Sequence, residues 1–141
     1  MPKGVTFRAD TEMDTAAAEF AEQAVRIAVE HFAIELDYSP TSIASVEVVL
    51  EDMHAHRAEL SEKRAFQLGV VFGSYLGEVL RRGQPGAWGH ITAPDGSQFA
   101  GLRLDKSDTL IWPWARVQQR ILEGEAHEVV SYFLSFIPSG S

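Results

Sequence analysis

Residues 68–82 read LGVVFGSYLGEVLRR, and the architecture of the chain turns on how they are placed. At about 100° per residue, Leu68, Gly69, Phe72, Gly73, Leu76, Gly77, Val79 and Leu80 cover well over half of a helical circumference. That pattern predicts a helix that is mostly buried. Ser61 stands where an N-cap belongs, and the helix is expected to run from there to about Arg82. Gly69, Gly73 and Gly77 recur every fourth residue and cut a shallow groove along one side. Each glycine costs about 0.8–1.0 kcal/mol relative to alanine. Three in register imply a closely packed partner, most simply the first or second helix.

Toward the N-terminus, Phe20, Ala24, Ile27, Ala28 and Phe32 share one broad face, predicting an alanine-rich helix from Thr11 to about Leu36. Ser39 with Pro40 behind it reads as N-cap and first helical position of a second helix. Ile43, Val46, Leu50 and Met53 carry its apolar stripe to about Leu60. Residues 1–10 read as a loose arm or a short strand around Val5–Phe7.

Toward the C-terminus the hydrophobic period changes from 3.6 to 2. Trp88–Ala93, Gln98–Leu104 and Thr109–Trp112 read as strands, joined by Pro94-Asp95-Gly96-Ser97 and by Asp105–Asp108. Pro113 opens a fourth helix that Gly124 ends, and a fifth runs from Glu125 to Phe136. The expected fold class is therefore α+β: three N-terminal helices, a three-stranded antiparallel β-meander and two C-terminal helices. Residues 11–138 are expected to form a single domain.

With Asp95-Gly96 as a two-residue turn, Ala93 faces Gln98, Ile91 faces Ala100 and Trp88 faces Arg103. The second turn sets Leu104 against Thr109 and Gly101 against Trp112. One sheet face then carries Ile91, Ala100, Leu102, Leu104 and Ile111 toward the third helix. The other carries Trp88, His90, Phe99, Gly101, Arg103, Leu110 and Trp112, with Trp88 and Arg103 placed to stack. Gly101 leaves room for the Trp112 indole or for a ligand. Either the fourth and fifth helices fold back over this second face, or it is a ligand groove or partner surface, where aromatics and Arg are favoured.

Twenty Asp and Glu against twelve Lys and Arg give a net charge of −8 over 141 residues. Such a field repels phosphate backbones, which argues against nucleic acid and favours basic partners. There is no cysteine, so disulfides, thiolate nucleophiles and Cys-ligated zinc are excluded. No signal peptide or membrane-length apolar run is visible, and the default expectation is a soluble cytoplasmic protein.

His54 and His56 lie two apart on a helix and point away from each other, so they cannot chelate one ion. Glu47, Glu51 and His54 share one side of the second helix and read as a solvated face. His31 reads as a hydrogen-bonded boundary residue, and His127 as a surface partner of Glu123 or Glu128. Glu78 falls with Gln67 and Ser74 on the narrow polar strip of the third helix. An ion pair with Arg82 explains it, and a general base facing a cleft is the other reading. No G-x-S-x-G elbow, Walker A loop or G-x-G-x-x-G is present.

Three segments, LDYSPTSIASVEVVLEDM (36–53), LGVVFGSYLGEVLRR (68–82) and IWPWARVQQRILEGE (111–125), carry a resemblance. Together they resemble an uncharacterised bacterial domain-of-unknown-function family with the patterns S-P-x-S-[IL], G-x-Y-[LF]-G-E and P-x-x-x-V-x-x-R-[IL]-x-x-G. The matching positions are Ser39, Pro40, Ser42, Gly73, Tyr75, Gly77, Glu78, Pro113, Val117, Arg120 and Gly124. The resemblance implies a helix–sheet–helix domain and no assigned activity. Some small acidic bacterial domains of this build are immunity proteins against toxins, an analogy that implies a protein partner.

The reading is a non-enzymatic domain that binds a protein partner, as monomer or homodimer, without membrane, cofactor, metal or catalytic residues. Its candidate binding residues are Trp88, His90, Phe99, Arg103, Trp112, Tyr75 and Glu78. The alternative is a small-molecule-binding protein or hydrolase-like enzyme with a pocket near Glu78, Tyr75 and Trp88.

Overall fold

A computed structural model describes residues 3–138. It is an α+β arrangement with the order β1 (Thr6–Ala9), α1 (Thr11–Phe32), α2 (Ser42–Ala55), α3 (Glu62–Gly83), β2 (Gly86–Thr92), β3 (Gln98–Leu104), β4 (Thr109–Ile111), α4 (Pro113–Glu123) and α5 (Val129–Leu134). Single 3₁₀ turns at Arg57–Glu59 and Glu125–His127 interrupt the helical connections. Among the described residues, no helix is long and apolar enough to cross a membrane.

Helix α3 is the centre. Ser61 Oγ accepts the Arg64 N–H at 3.0 Å, the expected cap, and every residue from Leu68 to Leu80 is buried. Its glycine groove, however, does not receive α1 or α2. Alanines 17, 21, 24 and 28 of α1, all fully buried, give α1 its own close-packing stripe. The glycines instead admit backbone from α4: a Cβ on Gly73 would sit 2.7 Å from the Pro113 carbonyl oxygen and 2.8 Å from Trp114 Cα. A Cβ on Gly77 would overlap the Trp88 ring. The groove thus seats the start of α4 and one indole, contacts that no side chain would permit.

Helix boundaries shift where local closure overrides periodicity. Helix α1 ends before Leu36 because Ala33 turns left-handed (φ 55°) and Ile34 N–H returns to the Ala28 carbonyl at 3.0 Å. Helix α2 begins at Ser42, with Pro40 in the preceding turn; Ser39 Oγ still accepts the Ser42 N–H at 3.3 Å. The expected last helix splits, because the Glu128 carboxylate caps a new start by accepting the Ser131 N–H at 3.1 Å.

The sheet has four antiparallel strands in the order β1-β2-β3-β4, one more than the expected meander. Strand β1 pairs Thr6 with Thr92 and Ala9 with Gly89, turning the N-terminal segment into an edge strand. The β3–β4 register is as expected, with Leu104 opposite Thr109. The β2–β3 register is not. Thr92 faces Gln98, Ile91 faces Phe99 and Trp88 faces Leu102. The reason lies in the turn. Gly96 takes φ 88°, and Ala93 N–H donates to the Ser97 carbonyl at 2.8 Å. The loop is therefore three residues long with a left-handed third position, not a two-residue Asp-Gly turn. A slip of one residue transfers a strand's whole side-chain set to the other face. Trp88 and His90 move to the helix side with Leu102, Leu104 and Ile111, and Ile91 moves to the outside.

Candidate functional site

The corrected register splits the candidate residues into two groups. Trp88, Tyr75 and Glu78 belong to the interior. Trp88 is fully buried, and its Nε1–H donates to Glu78 Oε2 at 3.0 Å. Arg81, rather than the expected Arg82, supplies the cation: its Nη1 donates to the same oxygen at 3.0 Å. Arg81 also lies 3.7 Å from Asp14 Oδ1, the atom that accepts the Trp88 backbone N–H at 2.8 Å. A carboxylate fixed between a guanidinium and an indole is a clamp on Trp88. Tyr75 is likewise fully buried. Its hydroxyl accepts the Tyr38 N–H at 2.8 Å and is bonded to Ser42 Oγ at 2.7 Å, and burial raises its pKa. Its role is to hold the loop between α1 and α2.

His90 sits at the margin of the helix side, with Nε2 donating to Asp10 Oδ2 at 2.9 Å. That bond is the main cause holding the Asp10 carboxyl below its ordinary pKa. Asp10 also caps α1 by accepting the Glu12 N–H at 2.9 Å, so the pair ties the β1–α1 corner to β2.

Phe99 and Arg103 form the other group, on the outer face with Phe7, Ile91 and Leu110. Helices α4 and α5 do not fold back over this face. They join the helical layer, where Pro113, Val117, Ile121, Val129 and Phe133 are buried. Ile91 is only 1% exposed yet stands apart from the main core. Its side chain fills the space above Gly101, where a Cβ would overlap Ile91 Cδ1, so that space holds neither Trp112 nor a ligand. The expected Trp88–Arg103 stack is replaced by Arg103 over the Phe7 ring, 5.2 Å from its centroid. Arg103 Nη2 reaches Asp105 Oδ1 at 3.4 Å, while its buried Nε has no hydrogen-bond partner among the described residues. Phe99 is 47% exposed at the end of this row. Trp112, half-buried, caps the start of α4 rather than lying within a strand.

Two further features escape a reading of periodicity. Arg120 is fully buried and donates from Nε and Nη2 to Glu47 (3.0 and 2.8 Å) and from Nη2 to Glu51. Glu47 also accepts the Val129 N–H at 3.2 Å, so the supposedly solvated face of α2 is the clamp that holds α4 and α5. His54 joins it, donating from Nδ1 to the Ile121 carbonyl at 2.8 Å. The i,i+4 pair Glu47/Glu51 was the available signal, but it needed a cation far away in sequence. Trp114 is the second feature, with Nε1 donating to Ser74 Oγ at 2.9 Å and its ring 6.0 Å from that of Trp88.

Among the described residues, no cluster of three or more His, Asp or Glu side chains is placed to hold a metal ion. Comparison with family models, with curated proteins and with solved structures gave no match. Function must therefore be argued from these residues themselves.

Proposed function

We propose that the chain is a non-enzymatic interaction domain that binds a protein partner on the outer face of its sheet. One observation carries the reading: Phe99, nearly half exposed, stands across Ile91 from Phe7 and shares with Arg103 and Leu110 the side of the sheet away from the helices. Exposed apolar groups gathered on one face mark contact surfaces. Aromatics and arginine are also the residues that dominate binding energy at interface centres. The chain's charge of −8 favours a partner with a basic rim and speeds their encounter.

The test compares F99E with V48E, a control at an α2 residue that is 60% exposed. Tagged chains would be recovered from the native host, with sedimentation velocity run alongside on purified protein. A discrete partner should be retained by the wild type and V48E and lost by F99E, which should keep wild-type stability to within about 0.5 kcal/mol. If the partner is a second copy, a dimer should appear in sedimentation and vanish in F99E. Retention of the same partner by F99E, or a wild type that is monomeric and recovers nothing, would sink the reading.

A further inference from the structure

A second surface lies at the C-terminal end of α3, away from Phe99. It is a cleft of about 390 Å³ whose lining includes Tyr38, Val79, Leu80, Arg82, Lys106 and Ile137. A hollow of about 320 Å³ adjoins it and shares Gln84, Lys106, Ile137 and Pro138. The first volume is within the range of small-molecule sites. Gln84 Nε2 donates to the Phe136 carbonyl at 2.8 Å, fixing the C-terminal segment as one wall.

Three observations converge on this cleft. First, Arg82 and Lys106 face it from two different elements, and neither has an ion-pair partner among the described residues. Second, the Arg82 guanidinium carbon lies over the Tyr38 ring, 3.5 Å from its centroid. Stacking occupies the face of the fork and leaves its edge N–H donors directed outward. Third, Tyr38 has φ 64°, a left-handed conformation unusual for a bulky side chain. It is held there by the Tyr75 hydroxyl, by Tyr75's ring 4.8 Å away, and by its own O–H donating to Glu22 Oε1 at 2.7 Å. Strain of this kind is kept where the surroundings over-determine it, and here it places the platform under Arg82.

We infer that this cleft binds a small organic carboxylate, with its anionic group between Arg82 and Lys106 and its apolar body against Val79, Leu80 and Ile137. A monoanion fits better than a phosphate dianion. The cleft abuts the C-terminal end of α3, where the helix dipole is negative and two formal cations are partly offset. A guanidinium fork also matches the two oxygens of a carboxylate.

The test is a nuclear magnetic resonance titration of the ¹⁵N-labelled full chain with 4-phenylbutyrate, 4-phenylbutanol and inorganic phosphate. The carboxylate should give saturable shifts at Arg82, Gly83, Lys106 and Ile137, with a dissociation constant on the order of 1 mM or tighter. The R82Q/K106Q variant should bind at least about tenfold more weakly with an otherwise unchanged spectrum. K106Q alone, in an exposed turn, gives the same readout if the double variant folds poorly. The inference is overturned if the alcohol or phosphate binds as well as the carboxylate. It is equally overturned if the variants bind unchanged, or if no saturable shift occurs.

Discussion

On its helix side the sheet presents Trp88, Leu102, Leu104 and Ile111, none more than 1% exposed; on the opposite side it presents Phe7, Ile91, Phe99, Arg103 and Leu110, of which Ile91 alone is so completely covered. Both sets come from the same strands by simple alternation. What separates them is what they meet. Trp88 enters a notch that Gly77 leaves in α3, and its indole N–H finds a carboxylate. Ile91 is covered from within its own sheet, by the gap at Gly101 and by its strand partners Phe7 and Phe99. Burial on one side is interlayer packing; on the other it is lateral, and it leaves the face open beyond Ile91.

Breaking the helix side should cost most. W88A removes a fully buried indole and leaves Glu78 without its donor, and should destabilise the chain by about 3–5 kcal/mol in urea unfolding. A loss below about 1.5 kcal/mol would show that the notch collapses freely and that the two faces are less different than they look. G101A probes the lateral packing: the new methyl meets Ile91 and lies 2.9 Å from the Ile111 carbonyl oxygen. It should cost about 1–3 kcal/mol, and I91A should relieve part of it in a double-mutant cycle. Additive losses would refute the assignment of Ile91 to the space above Gly101.

The smallest effect is expected at the margin, from D10N. The Asp10 carboxyl is held below its ordinary value of 3.8, chiefly by His90. A depressed pKa in the folded state gives stability that is present above the unfolded value and lost as pH falls through the folded one. Because asparagine still caps α1, D10N isolates that contribution. Wild type should exceed D10N in urea midpoint at pH 6, and the gap should narrow as the pH is lowered below 3.8 toward the folded-state value. A gap that stays constant with pH would assign the difference to something other than the carboxylate.

Much of the helical architecture was legible because each helix carries its own signals. The Ser61 cap, the buried run from Leu68 to Leu80 and the Pro113 start are local properties of a few residues. The β3–β4 register was legible for the same reason. The β2–β3 register was not, since Pro94-Asp95-Gly96-Ser97 is compatible with both a two- and a three-residue loop, and the choice reverses every side chain of β2. That one step is why Trp88 was grouped with Phe99 and Arg103. Features that need distant partners were hidden as well. Arg120 reaches carboxylates 69 and 73 positions away, and the glycine groove meets a helix that begins at Pro113.

The pairing of β1 with β2 also sets an order of events. Arg8 lies opposite His90, so the edge strand cannot join the sheet until three helices have been made. At about 5–20 residues per second of synthesis, that interval is roughly 4–16 s. Throughout it, Phe7 has neither Ile91 nor Arg103 beside it. The earliest strand of this sheet is thus obliged to wait for its neighbour, and the sheet closes by capturing a segment made long before.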